Sequence, residues 1–389
     1  MIIGSLSYFF FFWLIIVCSS LLSLNIPNSL KSSFFYFRFL LFALCFWYLL
    51  DVDKILIKKI FYLLLICFFG LFIDSLFQFY FDTNIFNIEK YHHLRVSSFF
   101  GDELILGSYI SRMYPVFLAF SFYLHNKENF FKNKIIYTIF FYFLFFCTFL
   151  IILLSGERTA LFLFFLSNMY IIVQIKSVFT KHIKFIILFI LFIFFIFSIE
   201  NIKKRFVKDT ISLFNQNKII EGPSISSNTH ENDKPFFLFS KQHSDHYISA
   251  YRMFLTDKIF GVGPRNFRFL CNDPRYYVSE FSCSTHPHNT FLQLLAETGV
   301  LGTFFFLLLI LLFFFYSLKH AYLRYFKGII YFNNFQICIL ASILISISIV
   351  NPSGNFFNNW LSSVYFYPIG IFFWSLNVNN QNSKEKVLY

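Results

Sequence analysis

Residues 135–154 read IIYTIFFYFLFFCTFLIILL, twenty residues without a charge, and Ser155-Gly156-Glu157-Arg158 follow directly. At about 1.5 Å per residue, a helix of this length crosses a hydrocarbon core of about 30 Å. The rest of the chain has the same character. Of 389 residues, 57% are hydrophobic and 24% aromatic, but only 13% are charged; soluble proteins carry about 25%. That leaves too little charged surface to keep a globule dissolved. Disorder is excluded as well, because it requires low hydrophobicity and high charge. The reading is an all-α integral membrane protein. The 66 phenylalanines, with the surplus of Ile, Lys and Asn, look like AT-rich coding and carry no functional weight.

Working outward from that stretch gives about ten spans of this kind (range about 9–12). They fall near 5–24, 34–50, 60–80, 105–124, 135–154, 158–174, 184–199, 292–316, 329–350 and 360–376. The first lacks a basic leader and a small-x-small cleavage site, so it reads as a retained helix rather than a signal peptide. The expected organisation is a transmembrane bundle of about seven spans over 1–200, then one large extracytoplasmic loop over 201–290 between spans seven and eight. About three more spans over 291–376 and a tail at 377–389 complete it.

Lysine and arginine placement orients the chain, since short cytoplasmic loops collect them. One set of alternate loops, with the C-terminal tail, holds 14: Lys54, Lys58, Lys59, Lys127, Lys132, Lys134, Lys176, Lys181, Lys184, Lys319, Arg324, Lys327, Lys384 and Lys386. The opposite short loops hold 4: Lys31, Lys90, Arg95 and Arg158. Both termini are therefore expected in the cytoplasm. The net charge of +12 is mostly topology, not a nucleic-acid surface. The same parity exports 82–103, the turn at 155–158, the loop at 201–290 and the stretch 351–359. The long loop, with 12 Lys/Arg and 8 Asp/Glu, is the segment with the polarity of a soluble subdomain, and its middle, 215–234, is turn-rich.

Four segments carry chemistry. Thr285-His286-Pro287-His288-Asn289-Thr290 runs into span eight; Pro287 breaks the loop, Asn289 can cap the helix, and His288 sits at its mouth. An imidazole there has a pKa near neutrality and either caps the helix or takes a proton at pH 7. At 154–161, LSGERTAL, an arginine at an outer helix mouth needs an anion: either Glu157, or a phosphate held by the fork of Arg158. At 95–103, RVSSFFGDE leads into span four, where Arg112 lies some two turns deep and must face protein or water; Asp102, Glu103 and Asp74 are possible partners. At 250–271, AYRMFLTDKIFGVGPRNFRFLC, an amphipathic helix ends in a turn at Gly261, Gly263 and Pro264, with Phe267 as its anchor. Arg252, Arg265 and Arg268 there meet lipid headgroups or a bound anion.

Seven cysteines form no CxxC pair, which excludes cysteine zinc ribbons and thioredoxin-type sites. Cys271 and Cys283 are the two in exported loops, so an oxidising compartment predicts a bridge between them. His243-x-x-His246 with His286-x-His288 is a competing zinc reading, weakened because no carboxylate or thiolate is firmly placed beside it. There is no phosphate-binding glycine loop, GxSxG elbow or DxD site, which argues against an ATPase or a nucleotide-sugar transferase.

HPHNTFLQLLAETGVLG at 286–302 resembles the O-antigen ligase and polymerase superfamily of bacterial membrane proteins. LLSGERTALF, RVSSFFGDELILGSYISR and AYRMFLTDKIFGVGPRNF are similar to three further segments of that family. The resemblance implies a metal-independent, inverting glycosyl transfer at the periplasmic face of the inner membrane, with no cofactor. The donor would be a glycan on undecaprenyl diphosphate. The acceptor would be lipid A–core, another lipid-linked repeat, or a protein. His288 would be the general base, supported by His286, Asn289 and Glu297, while Arg158, Arg95, Arg112, Arg252 and Arg265 are candidates to hold the diphosphate. The chain departs from the family at 243–248, HSDHYI, where many members carry an arginine. A transporter of lipid-linked sugars would usually place ionisable groups deep in several spans; here the deep ones are few, Arg38, Asp74 and Arg112. A non-catalytic polymer-length regulator would have no reason to set HPHN against the membrane.

Overall fold

The computed structural model describes residues 2–128, 130–131, 133–175, 198–212 and 240–385. The expected seventh span, Lys176, Lys181 and Lys184, and the polar stretch 215–234 lie outside the described residues. Among those described, the architecture is helical: α1 (Ile2–Leu21), α2 (Ile26–Ser33), a 3-10 turn (Phe34–Phe37), α3 (Arg38–Val52), α4 (Leu56–Phe81), α5 (Leu106–Glu128), α6 (Lys134–Ser155) and α7 (Arg158–Gln174). Then come α8 (Glu200–Lys203), α9 (Lys241–Thr256), α10 (Phe267–Leu270), α11 (Thr290–Phe326), α12 (Asn334–Ser346) and α13 (Asn359–Glu385). Among the described residues, four helical stretches are long and apolar enough to cross a membrane: Ile26–Val52, Leu56–Phe81, Lys134–Ser155 and Thr290–Phe326. Leu6–Leu21, Arg158–Gln174 and Asn334–Ser346 are apolar but shorter.

The chain forms two compact, discontinuous units. One comprises Cys45–Ile211, Phe315–Ile347 and Pro368–Tyr389. Its centre is α5, which packs against α4, α6, α7 and α12. Val116, Phe117, Leu118, Ala119 and Phe120 are fully buried there, the pattern of a helix covered on all sides rather than along one stripe. The C-terminal end of α6 stops because Gly156 adopts φ 65°, a left-handed cap that returns its amide to Leu153 O.

The other unit comprises Met1–Leu44, Ser212–Phe314 and Ser348–Tyr367. An aromatic cluster holds its far segment: Tyr36 stacks on Phe356 at 5.5 Å and meets Phe357 and Phe366 edge-on. The loop after α9 closes on a small apolar core of Ala250, Met253, Val262, Phe267, Cys271, Tyr276 and Ala296. Cys271 and Cys283 are bonded, with Cα atoms 5.1 Å apart.

One stretch differs from the sequence reading. Residues 292–316 read as one continuous span, but α11 breaks at Gly299, with φ 63° and ψ −164°. The break exists because two backbone segments cross there. Val262 N donates to Ala296 O (2.9 Å), Gly263 N to Glu297 O (3.1 Å) and Val300 N to Lys258 O (2.8 Å). Contact this close leaves no room for side chains. A Cβ on Gly299 would lie 2.2 Å from Ile259 O, and one on Gly261 would lie 2.6 Å from Ala296 O. Thr290–Thr298 is thus a short helix of the loop region, and the apolar run continues beyond the break.

Gly299→Ala combines a left-handed φ with a backbone clash, so it is expected to cost more than about 2 kcal/mol. Thermal unfolding of the detergent-solubilised protein checks this; an unchanged midpoint would mean that the crossing carries no stability.

Candidate functional site

The HPHN segment is positioned by residues 349–356, to which the sequence reading assigned no role. Ser353 N donates to His288 O (2.9 Å). His286 Nε2 lies 3.1 Å from Ser353 O, and Thr290 Oγ1 lies 2.8 Å from Ser353 Oγ. Asn289 Nδ2 donates to Ile349 O (3.0 Å) while its Oδ1 accepts from Leu292 N (3.0 Å), so one side chain caps α11 and ties it to this loop. Gln293 donates to Glu297 and Asn355, both at 2.9 Å, and accepts from Phe356 N. Glu297 also accepts from Phe267 N (3.1 Å), which makes it a buried post between two loops rather than a group facing a reactant.

Ser353 O can only accept, so His286 carries its proton on Nε2 and its Nδ1 accepts from the Thr285 hydroxyl at 2.9 Å. Both nitrogens of His286 are spent. His288 is different. Its backbone is left-handed, φ 57°, a conformation uncommon outside glycine and found where structure over-determines it. Its half-buried ring is surrounded by imidazoles, 4.1 Å from His286, 5.3 Å from His246 and 5.5 Å from His243 between ring centres. α9 supplies the last two: Ser240 caps it, and His243 and His246 stand one turn apart. His246 is buried, with the Cys283 backbone beside its ring.

The sequence reading places the His288 pKa near neutrality, but the structure drives it down. Burial first, then the neighbouring imidazoles His286, His243 and His246, push it to about 3. His286 and His246 fall to about 4, again chiefly by burial. The cluster is therefore neutral at pH 7, and a neutral ring nitrogen that is not already engaged can accept a hydrogen bond. Among the described residues no group of three or more His, Cys, Asp or Glu is arranged to hold a metal ion. With both its nitrogens engaged, His286 is also removed as a ligand.

The loop arginines scatter. Arg252 donates to Tyr277 O (2.6 Å) and Arg265 to Ser32 Oγ (3.3 Å). Arg268, read in the sequence as local positive charge near the membrane, donates to Thr285 O (3.1 Å) beside the HPHN segment, and its charge acts on His286.

The second unit holds an arginine turn. Arg95 donates Nε to Ser155 O (3.0 Å) and Nη2 to Leu104 O (3.0 Å), while Val96 N binds Leu154 O at 3.0 Å. The 95–103 loop is thereby fastened to the end of α6. Glu157 lies 3.9 Å from Arg95, but its oxygens accept from Gly107 N (2.7 Å), Ser108 N (3.2 Å) and Ser108 Oγ (2.5 Å). It is a bracket for the start of α5, not the partner of Arg158. Arg158 instead donates to the carbonyl of Arg205. Arg112 is buried in α5 and donates to Ser108 O (2.9 Å), one turn below that bracket.

Several helices long and apolar enough to cross a membrane, with an imidazole cluster in one unit and an arginine turn in the other, are the features of a multi-pass membrane protein. Residues 143–307 match a family model described as O-antigen ligase, and the match supports the O-antigen ligase/polymerase superfamily for this chain. The matched stretch contains Arg158, Arg205, Arg252, Arg265, Arg268, His286, His288 and Glu297. No curated protein and no solved structure matches the chain.

In the unfolded chain the imidazoles take up protons as pH falls through about 6.5, whereas the folded loop resists until about 4 or 3. Between those limits the unfolded state binds more protons, so folding stability falls as pH falls. The thermal midpoint is expected to drop steadily from pH 6.5 to 4, and less so in His246→Asn; a flat profile would contradict the burial of these rings.

Proposed function

We propose that the protein is an O-antigen ligase-like glycosyltransferase of the bacterial inner membrane, acting at the periplasmic face with both termini in the cytoplasm. It moves a glycan from undecaprenyl diphosphate to a sugar hydroxyl of lipid A–core. The observation that carries this reading is His288: a neutral imidazole on a left-handed backbone, held by the 349–356 loop, in a stretch matched to the O-antigen ligase family.

In the reaction, the acceptor oxygen attacks the anomeric carbon from the face opposite the diphosphate, and His288 removes the hydroxyl proton. The new C–O bond forms as the sugar–phosphate C–O bond breaks. Its electron pair stays on the phosphate oxygen, which leaves as undecaprenyl diphosphate. Configuration inverts, and the phosphoester bond already supplies the leaving group. Arg158 and Arg95 hold the diphosphate and offset the charge it gains, the kind of preorganised electrostatics that lowers such barriers most. His286, Asn289 and Glu297 keep the base in place. A positioned general base contributes about 10²–10⁴-fold.

His288→Ala is expected to abolish transfer at an unchanged protein level. Arg158→Lys is expected to be severely impaired, because a point charge does not reproduce a guanidinium fork. The assay is a surface-polysaccharide gel of a deletion strain complemented with each variant. Bare lipid A–core with polymer retained on the lipid carrier supports the ligase. Lipid A–core bearing a single repeat reassigns the same chemistry to a polymerase. Full transfer by His288→Ala would remove the general base and favour a transport role.

A further inference from the structure

The turn at 155–158 is crowded by a third arginine that neither the sequence motif nor the family resemblance assigns. Arg205 stands just beyond α8, on a π-helical turn, Lys204–Lys208. It donates Nε to Gly156 O (3.1 Å), and Arg158 donates Nε and Nη2 back to Arg205 O (3.3 and 2.9 Å). Arg95 packs against the same glycine. A Cβ on Gly156 would lie 2.9 Å from Arg95 Cγ and 3.4 Å from Arg205 Cγ. Three half-buried guanidinium groups thus surround one turn, close enough that the charges of Arg205 and Arg158 both act on Arg95.

Their local anions do not match them. Two carboxylates stand against the three guanidinium groups: Glu157, whose oxygens also bind the amides and hydroxyl that start α5, lies 3.9 Å from Arg95, and Asp209 lies 3.7 Å from Arg205. The remaining contacts are backbone carbonyls, which orient a guanidinium but cannot neutralise it. Each guanidinium has five N–H donors, and the carbonyls engage a minority of them. Holding like charges together in a partly desolvated place is costly unless an anion joins them.

We infer that Arg205 is the third guanidinium of a diphosphate site with Arg95 and Arg158, and that it makes the site select a lipid diphosphate over a lipid monophosphate. This rests on the proposed transfer. A glycosyl diphosphate carries charge on both phosphates, and the leaving form gains more when the C–O electron pair stays on the terminal phosphate oxygen. One fork serves one phosphate; two phosphates with growing charge use the additional fork that Arg205 brings. A phosphomonoester or a phospholipid headgroup offers a single phosphate and gains little from it.

Arg158 grips the carbonyl of Arg205 and not its side chain, so Arg205→Ala removes the guanidinium while leaving that tie intact. The full-length protein in nanodiscs is tested for binding of undecaprenyl diphosphate and undecaprenyl monophosphate, with phosphatidylglycerol as the bilayer's own phosphodiester. Donor KM and kcat, and the thermal midpoint, are measured beside them. Losing charge-assisted hydrogen bonds of this kind costs about 10–100-fold in affinity. Arg205→Ala is expected to lose about that much for the diphosphate lipid with little change for the monophosphate, and to raise donor KM at an unchanged midpoint; Arg205→Lys is expected to fall between. Equal diphosphate binding by wild type and Arg205→Ala overturns the inference and leaves the transferase reading standing. So does an equal loss for both lipids, or displacement of the diphosphate by phosphatidylglycerol. If Arg205→Ala does not fold, Arg205→Lys decides: wild-type preference for the diphosphate would overturn the assignment of a fork. A wild type that neither prefers the diphosphate nor transfers glycan overturns both.

Discussion

The loop-bearing unit depends on one backbone crossing, between 258–263 and 296–300. Three main-chain hydrogen bonds join the two segments without a side chain between them, and Gly261 and Gly299 are the residues that permit it. Ser19 Oγ approaches the carbonyls of Phe260 (2.6 Å) and Glu297 (2.9 Å) on both sides of the crossing, so α1 is drawn onto the same point. Once this contact is made, the turn after α9 cannot drift from the start of α11. The disulfide and the small apolar core then close around it. His288 owes its position to this frame and to the hydrogen bonds from Ser353.

That frame also explains the state of the imidazoles. Four rings are packed together and largely buried, and the charge of Asp245 on His246 is outweighed by that burial. Their neutral forms win, because the charged forms would repel one another and lose hydration. His286 is consumed in holding the loop, whereas the ring of His288 is not. Two histidines separated by a single proline thus differ in their contacts: the Ser353 carbonyl takes the ring of His286, while the ring of His288 lies among the other imidazoles.

The arginine turn follows a different logic. There, positive charge is concentrated on a helix cap whose left-handed glycine leaves room for the side chains of Arg95 and Arg205 to pack against it. The carboxylate written into the motif, Glu157, is diverted to the amides of α5. An arginine that reads in sequence as the partner of its neighbour is instead paired with a distant carbonyl, and the local charge remains positive.

Much of this protein was legible in the chain itself. Apolar runs with few charges can satisfy their backbone only as helices in a bilayer, so composition and span length sufficed for the helical class. The HPHN and SGER segments also stood out, because polar groups clustered at the ends of apolar runs are expensive without a purpose. The bridge between Cys271 and Cys283 was readable from cysteine placement alone. Arg205 was not readable, being one of twelve basic residues in a long loop; nothing local distinguishes the arginine that folds back onto Gly156. The roles of Ser353 and Asn355 were hidden for the same reason, although NPSGNFFNN at 351–359 is a polar island between apolar stretches. The break at Gly299 and the depressed pKa of His288 were decided only by tertiary structure, since both arise from groups brought together across long stretches of sequence.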